Sequence, residues 1–229
     1  MSVQIAIDGP SGAGKSTIAK ILAGERDFIY LDTGAMYRAF GLYAIKNGLD
    51  FVSWDADRDF GLLRGLLDRF TLEIEYRDGS QYVIVNGEDF TSQIRSPEVS
   101  LAASKVAVVP EVRRKLVEIQ RRIAAKNDVV MDGRDIGSYV LPNATVKIFL
   151  TASPEDRARR RFSELREKGD EEVQYDQVLE DMRFRDQNDS TRAFAPLVCA
   201  PDAVRVDTTG CSLEEAVAKL RKIVEERLC

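Results

Sequence analysis

The sequence predicts an α/β fold, in which a five-stranded parallel sheet carries helices on both faces and a small antiparallel β subdomain is inserted. Short apolar runs alternate with segments of helical periodicity along the 229 residues. One stretch in the middle of the chain instead alternates apolar and polar residues with a period of two. The composition, 44% hydrophobic and 31% charged, is typical of a soluble globular protein with a full core.

The strands are predicted from apolar runs that are compact, mostly β-branched or aromatic, and mostly followed by polar residues. These runs are Val3–Ile7, Phe28–Leu31, Val129–Met131, Val146–Leu150 and Val204–Val206. Parallel strands need long crossover connections, so the segments between the runs are expected to be helices. Ligands bind at the carboxyl ends of the strands in such sheets, and the loops at those ends are therefore the candidate site.

Helices are indicated by periodicity and by their caps. One helical face carries the apolar residues Val112, Leu116, Ile119 and Ile123, with arginines, Arg113 among them, elsewhere on the helix. Residues 153–156 (Ser-Pro-Glu-Asp) place proline at a first helical position and acids in the first turn. Residues 212–215 (Ser-Leu-Glu-Glu) form a capping box for the last helix.

The inserted subdomain is predicted from a hairpin pattern. Leu72–Tyr76 alternates with period two, residues 78–79 (Asp-Gly) supply a turn, and Tyr82–Val85 follows as the second strand. A third strand is expected near Phe90. Antiparallel strands do not join a parallel core easily, so we place residues from about 51 to 105 in an insertion.

A polar zone from Arg157 to Gly169 has few apolar anchors of its own and predicts a small mobile flap. The chain is then a single domain of residues 1–229. Its parts are a core of residues 1–50, 106–152 and 170–229, the insertion of about 51–105, and a flap of about 153–169.

The composition excludes several kinds of chemistry. No histidine is present, so there is no Ser-His-Asp or Cys-His relay, no histidine-containing metal site and no imidazole base. Arginine outnumbers lysine by 23 to 10, which hints at anionic ligands because a guanidinium binds phosphate through two parallel hydrogen bonds. A net charge of −5 argues against a general nucleic-acid binder.

The expected location is the cytoplasm. Cys199, Cys211 and Cys229 are widely spaced and form no CxxC pair, so reduced thiols are expected rather than disulfides or a thiolate metal site. The first apolar run lacks a basic flank and ends in Asp8, which does not fit a signal peptide. No apolar run approaches the ~18–20 residues of a membrane span, so no membrane partner is expected.

The strongest motif follows the first predicted strand and matches GxxxxGK(S/T), the phosphate-binding loop or P-loop. Its glycines let backbone N–H groups point at a polyphosphate, and the following helix presents its positive end. Lys15 would reach the β- and γ-phosphates, and the Ser16 hydroxyl would bind Mg²⁺. The alternative is an ordinary glycine-rich corner. The predicted ATP-binding residues are Gly9, Pro10, Ser11, Gly12, Ala13, Gly14, Lys15, Ser16 and Thr17.

Charged residues at two further strand ends indicate a second anion site. Thr33 and Arg38 follow the second strand, and residues 132–135 (Asp-Gly-Arg-Asp) follow the third. Arg38 and Arg134 could bind a phosphate, or they could simply pair with Asp32 and Asp135.

A third charged set lies late in the chain. Arg185, Asp189 and Arg192 would share one helical face, either as ligand-binding residues or as a salt-bridged exposed face. From the residues alone, the salt-bridged face is the favoured interpretation.

Together these segments resemble the bacterial-type cytidylate kinases of the P-loop nucleoside monophosphate kinase superfamily. The resemblance rests on the segments GPSGAGKST, LDTGAMYR, SLAASKVA, DGRDIG and RDQNDSTRAFAPL and runs essentially end to end. It implies a P-loop NTPase-type sheet with a nucleoside-monophosphate-binding part and a lid. It also implies phosphorylation of CMP or dCMP with ATP and Mg²⁺ by a monomer.

The resemblance assigns roles by position. Ser104, Arg113 and Asp135 would recognise cytosine, with Thr33 bordering the acceptor. Arg185 and Asp189 would hold the sugar hydroxyls, and the acceptor phosphate would be held by Arg38, Arg134 and Arg192. The residues expected to act in catalysis are Lys15, Arg134, Arg192 and, from the lid, Arg157 and Arg161, with Arg157 also on ATP. Apart from the resemblance, Asp132 ends a predicted strand beside the phosphate loop, and we expect it to hold Mg²⁺ through water.

We expect direct in-line transfer of a phosphoryl group without a general base, because the acceptor phosphate is already largely dianionic at neutral pH. Two alternatives remain open. One is another small P-loop kinase, such as a thymidylate, uridylate or shikimate kinase. The other is a non-catalytic, nucleotide-responsive binding module in which the insertion is an interaction surface.

Overall fold

A computed structural model describes residues 2–77 and 79–228, apart from the side chains of residues 56 and 57. Asp78 of the predicted turn and the predicted thiol of Cys229 lie outside the described residues. Within the described ranges, no helix is both long enough and apolar enough to cross a membrane.

The described chain contains a series of strands and helices and one short π-helical turn over Ile136–Val140. The strands are β1 Gln4–Asp8, β2 Ile29–Asp32, β3 Leu72–Arg77, β4 Ser80–Val85, β5 Glu88–Asp89, β6 Val129–Gly133, β7 Val146–Thr151 and β8 Val204–Asp207. The helices are α1 Lys15–Gly24, α2 Thr33–Lys46, α3 Ala56–Arg69, α4 Pro97–Val106, α5 Pro110–Ala124, α6 Pro154–Glu167, α7 Tyr175–Thr191 and α8 Leu213–Leu228.

The main sheet has five strands in the order β2-β6-β1-β7-β8. Strand β1 pairs in parallel with β6 and with β7, and β7 pairs in parallel with β8. Four of the five residues of β1 and all of β6 are buried, because helices cover both faces of a parallel sheet. The predicted parallel sheet and its five apolar runs are confirmed, with small shifts at the ends of the strands.

The chain divides into two compact units. The first comprises Met1–Tyr30 and Asn127–Cys229. Its core is formed by apolar residues of the sheet and of α1 and α8, among them Ile7, Ile18, Leu150 and Leu220. These side chains are at most 1% exposed, which removes apolar surface from water and stabilises the unit.

The two helix starts predicted in the first unit are confirmed by their hydrogen bonds. Ser153 Oγ accepts from the backbone N–H of Asp156 at 3.2 Å and caps α6. Ser212 Oγ accepts from Glu215 N at 3.2 Å, and Glu215 Oε2 accepts from Ser212 N at 2.8 Å. This reciprocal pair is the predicted capping box.

The predicted flap, residues 153–169, consists mainly of helix α6, which begins at the helix start predicted from residues 153–156. Ala158 packs with Val178 and Met182 in a small apolar cluster, and all three are buried. Two of these anchors come from α7, so the flap's own sequence, which is mostly polar, did not indicate them. Closure of this segment over a ligand stays a prediction.

The second unit comprises Leu31–Lys126 and contains the whole of the predicted insertion, together with α2 and α5. The hairpin is confirmed: β3 pairs antiparallel with β4 from Leu72↔Val85 to Arg77↔Ser80, and β5 is the third strand. Phe40 and Phe70 meet edge to face in the interior of this unit, with ring centroids 5.0 Å apart.

Leu150 tests the packing of the first unit. We expect Leu150→Ala to lower the free energy of unfolding by about 2–5 kcal/mol, because the fully buried side chain leaves a cavity in the core. Leu213→Ala is the matched control, since Leu213 is 47% exposed, and should cost about 0.5 kcal/mol or less. Urea unfolding followed by circular dichroism measures both, and equal effects would contradict this packing.

Candidate functional site

The loop between β1 and α1 has the geometry of a phosphate-binding loop. A Cβ atom on Gly9 would lie 1.9 Å from the carbonyl oxygen of Leu150, so only glycine permits this close approach. Gly14, with φ of 85°, precedes α1, and no side chain caps the first turn of this helix. The N–H groups of that turn are therefore not occupied by a capping side chain and can bind an anion.

Lys15 is buried within this loop, where its Nζ donates to the carbonyl oxygen of Pro10 at 2.7 Å. Burial, and after it the positive charge of Arg134, lower the pKa of Lys15 to about 7. Asp132 and Asp8 act in the opposite direction. A bound polyphosphate would favour the charged form of this amine, because an adjacent negative charge raises the pKa of a lysine.

Ser16 and Asp132 lie together beside the loop. Ser16 Oγ donates to Asp132 Oδ2 at 2.8 Å, and the Tyr30 hydroxyl donates to Asp132 Oδ1 at 2.7 Å. A hydroxyl and a carboxylate are hard oxygen donors that suit Mg²⁺, which is usually bound by one or two carboxylates plus substrate phosphates. Among residues 2–77 and 79–228, no cluster of three or more metal-ligating His, Cys, Asp or Glu residues occurs. This set fits an ion that is bound together with a nucleotide.

The loop after β6 and the end of α7 bring four predicted residues together. Arg134 Nε donates to Asp189 Oδ2 at 2.7 Å. Arg192 Nη2 lies 3.3 Å from Asp135 Oδ1, and its Nη1 lies 3.9 Å from Asp189 Oδ1. The alternative pairing of Arg134 with Asp135 is therefore corrected, because the guanidinium bonds to a carboxylate contributed by α7. We call Arg134, Asp135, Asp189 and Arg192 the arginine–aspartate cluster.

The predicted helical face of Arg185, Asp189 and Arg192 also needs correction. Helix α7 ends at Thr191, and Arg192 is extended with ψ of 140°. Its Nε donates to the carbonyl oxygen of Ala195 at 2.6 Å, which turns the chain back toward the helix. Arg185 is exposed on α7.

Of the two predicted lid arginines, Arg157 lies against the phosphate loop. It is buried and donates to Ala152 O at 2.9 Å, Ser11 O at 2.9 Å and Asp186 Oδ2 at 2.6 Å. Arg161 is exposed and pairs with Glu164 on the same helix at 2.8 Å. The structure thus gives these two arginines different surroundings, and their catalytic roles stay predictions.

In the second unit, Thr33 and Arg38 belong to α2. Thr33 is buried at the first position of the helix. Asp32 caps the helix by accepting from Ala35 N at 2.8 Å, and its other oxygen accepts from Arg38 Nη2, also at 2.8 Å. Arg38 therefore forms the ion pair with Asp32 that was one of the two alternatives left open by the sequence.

Arg113 and Ser104 also lie in the second unit. Arg113 is 1% exposed, donates to the carbonyl oxygen of Ala107 at 3.1 Å, and has its guanidinium 5.4 Å from the centroid of the Tyr37 ring. A fully buried arginine on the apolar side of α5 was not expected from the helical pattern. Ser104 is exposed on α4.

Sequence reasoning missed three residues beside the phosphate loop. Asp8, Tyr30 and Asp186 bond to the loop after β6, to Asp132 and to Arg157, respectively. The one available signal was a polar residue at the end of a buried strand. Asp8 fits that pattern, and its carboxylate accepts two backbone N–H groups.

A buried lysine in a glycine-rich turn between a parallel strand and a helix, with a serine–aspartate pair beside it, defines a P-loop nucleotide-binding protein. Comparison with known proteins identifies the family within this class to which the chain belongs. The family model described as cytidylate kinase matches residues 5–226.

A cytidylate kinase of Caldicellulosiruptor bescii is 49% identical over 221 residues, covering 96% of this chain and 95% of the relative. One of Carboxydothermus hydrogenoformans is 50% identical over 222 residues, covering 97% of each chain. The chain belongs to the cytidylate kinase family. An uncharacterized protein of Eubacterium ventriosum shares the fold, with a TM-score of 0.53, 14% identity and coverage of 98% and 99%.

The pKa of Lys15 predicts a pH dependence of stability. Between pH 7 and 9 the unfolded chain holds a proton on this lysine that the folded chain largely lacks, so folding becomes more favourable as pH rises. We expect the free energy of unfolding of the nucleotide-free protein to rise, relative to Lys15→Met, by up to ~1.4 kcal/mol per pH unit.

Urea unfolding of both proteins at a series of pH values measures this difference. Lys20→Met, which removes an exposed lysine of the same helix, is the control and should follow the wild type across the range. Parallel curves for wild type and Lys15→Met would contradict the low pKa.

Proposed function

We propose that this chain transfers the γ-phosphoryl group of ATP to the phosphate of CMP or dCMP, giving ADP and CDP or dCDP. The observation that carries the proposal is the first unit's combination of a phosphate loop around buried Lys15 with the arginine–aspartate cluster. Membership of the cytidylate kinase family supports the choice of acceptor.

The phosphate loop is the proposed donor site. The N–H groups at the start of α1 and the Lys15 amine would bind the phosphates of ATP. Arg157 bonds to the carbonyl oxygen of Ser11 in this loop, which supports a role for α6 beside the bound triphosphate. We further propose that residues 153–169 close over ATP and carry Arg161 toward it, because an open site would allow water to take the phosphoryl group.

Ser16 and Asp132 are the proposed Mg²⁺ residues, Ser16 by its hydroxyl and Asp132 through water. The Tyr30 hydroxyl bonds to Asp132 and orients its carboxylate. A Mg²⁺ ion held by these two residues would supply positive charge that offsets the negative charge developing on the phosphates during transfer.

Arg38, Arg134 and Arg192 are the proposed ligands of the acceptor phosphate. Each of them lies against a carboxylate. A dianionic phosphate offers three oxygens to a guanidinium, and a bidentate arginine–phosphate contact is among the stronger hydrogen-bonded pairs in proteins. A phosphate bound here would therefore compete with these carboxylates for the guanidinium groups.

Asp135, Arg113 and Ser104 are the proposed cytosine-recognising residues, with Thr33 at the edge of the nucleotide. A carboxylate accepts from the C4 amino group of cytosine, which uracil lacks, and an arginine donates to O2 and N3. Asp135 and Arg113 are both buried, so a base that left either of them unpaired would bind weakly. Arg185 and Asp189 are assigned to the sugar hydroxyls.

The chemical step needs no general base. The acceptor is a phosphate monoester with a second pKa near ~6, so it reaches the site already deprotonated at neutral pH. What remains is to hold two anions in line and to offset the charge on the transferring group. Lys15 and the arginines around the two phosphates supply that positive charge.

The proposal includes a cytoplasmic monomer. Cys199 and Cys211 are free thiols, in keeping with a reducing compartment. Light scattering coupled to gel filtration tests the monomer.

A coupled assay of ADP release tests the function with a panel of nucleoside monophosphates. We expect CMP and dCMP to stimulate ADP release strongly, and UMP, TMP and AMP to do so weakly. Stimulation by another monophosphate or by shikimate instead would identify a different P-loop kinase. ATP binding without acceptor-dependent ADP release would favour a nucleotide-responsive binding module.

Asp135→Asn tests recognition of the base. The amide no longer offers only acceptors to the C4 amino group, so we expect the ratio of kcat/KM for CMP to that for UMP to fall about tenfold or more. Asp176→Asn, an exposed position in the first turn of α7, is the control and should leave this ratio unchanged. Equal decreases in kcat/KM for CMP and for UMP would show that Asp135 does not recognise the base.

A further inference from the structure

Asp8 is a buried carboxylate for which the proposed function has no role. It is the last residue of β1, immediately before the phosphate loop, and is 4% exposed. Its Oδ1 accepts from the backbone N–H of Ile136 at 2.7 Å, and its Oδ2 accepts from that of Gly137, also at 2.7 Å. The carboxylate thus holds two successive amides of a segment 128 residues away in sequence.

These two amides follow Asp135 directly and open the π-helical turn Ile136–Val140. The carbonyl oxygen of Asp135 accepts from Tyr139 N at 2.9 Å and from Val140 N at 3.0 Å. On the other side, Gly133 is paired with Asp8 in the parallel register of β6 and β1. The backbone of Asp135 is therefore held by contacts of the residues before it and after it in the chain. Asp8 contributes on both sides, by pairing with Gly133 and by bonding to Ile136 and Gly137.

Gly137 permits this approach. A Cβ atom there would lie 3.4 Å from Asp8 Oδ2 and 3.2 Å from Cγ and Cδ of Lys147. Lys147 is itself held by Asp202, so it cannot withdraw without losing that pair. The Cβ of an alanine at position 137 would press on the Lys147 side chain, so either that side chain or the Gly137 backbone would have to shift by a few tenths of an ångström.

The position of Asp8 in the sequence, beside the phosphate loop, suggests a role toward ATP, for example as a counter-charge to Lys15. The hydrogen bonds point elsewhere. Both carboxylate oxygens bond to amides of the loop after β6, whereas the Lys15 amine bonds to Pro10 O.

We propose that Asp8 is a positioning residue which acts through the amides of Ile136 and Gly137 to hold Asp135 for recognition of the pyrimidine base. This inference rests on the proposed function, because it assigns Asp8 to the acceptor nucleotide. It predicts that the residue before the phosphate loop governs the affinity for CMP rather than the affinity for ATP.

Asp8→Asn is the direct test, because an asparagine has one acceptor oxygen and must turn its NH₂ group toward the other amide. Calorimetric titrations of CMP alone and of MgADP alone measure the two affinities separately. We expect the Kd for CMP to rise about tenfold or more, and the Kd for MgADP to change by less than about threefold. In the steady state, KM for CMP should rise more than kcat falls, and preference for CMP over UMP should decrease.

Two further variants complete the experiment. Asp207→Asn is the matched control, since Asp207 also ends a strand of the main sheet and accepts from backbone Thr209 N, but is exposed and far along the chain; neither Kd should change. Gly137→Ala disturbs the same contact by changing the residue that donates the amide. It should therefore also weaken binding of CMP more than binding of MgADP. If Asp8→Asn does not fold, the result for Gly137→Ala decides.

Three outcomes would overturn the inference. The first is an equal loss of affinity for CMP and for MgADP, and the second is a loss of affinity for MgADP alone. The third is an Asp8→Asn or Gly137→Ala protein that binds CMP with the wild-type Kd. The second outcome would show that Asp8 acts on ATP binding, as a counter-charge to Lys15. Wild-type titration separates this inference from the proposed function. If the wild type binds no CMP, both fail; if the wild type and Asp8→Asn bind CMP equally, the inference alone fails.

Discussion

The pairing of arginines with carboxylates is the interaction on which the rest of this site depends. A guanidinium that is withdrawn from water without an anion is costly, so such arginines are paired with carboxylates. In the first unit Arg134 pairs with Asp189 and Arg192 with Asp135, and in the second unit Arg38 pairs with Asp32. Arg157, against the phosphate loop, is held by Asp186 in the same way.

This arrangement explains how an acidic chain can contain several arginines in its candidate site, each balanced by a carboxylate. The net charge of −5 describes the whole surface, whereas the site depends on a few arginines placed at strand ends and at the end of α7. The absence of histidine is consistent with the same account. A phosphate acceptor reaches the site already deprotonated, so its activation needs no imidazole.

The features that could be predicted from the sequence are those determined by residues close to one another in the chain. The strands, the cap at Ser153, the capping box at Ser212 and the hairpin from Leu72 follow from periodicity and from contacts between near neighbours. The phosphate loop belongs to the same group, because its glycines and its lysine are adjacent in the chain.

The features that the sequence did not predict depend on contacts between residues far apart in the chain. Hydrophobic periodicity carries no information about such contacts. Arg134 could not be assigned to Asp189, 55 residues away, and the hold of Asp8 on Ile136 spans 128 residues. The contacts of buried Arg113 with Tyr37 and with the carbonyl oxygen of Ala107 could not be predicted from the helical pattern of α5. The helix of the flap is held by α7, whose apolar residues lie outside the flap's own sequence.

Phosphorus NMR of one reaction mixture tests the central claim most directly, namely that the site brings two phosphates together and passes a phosphoryl group between them. The protein is mixed with ATP, Mg²⁺ and CMP, and the spectra are followed over time. Direct transfer predicts that the signals of ADP and CDP grow together in equal amounts while inorganic phosphate stays near background. Growth of inorganic phosphate with CMP unchanged would contradict the account.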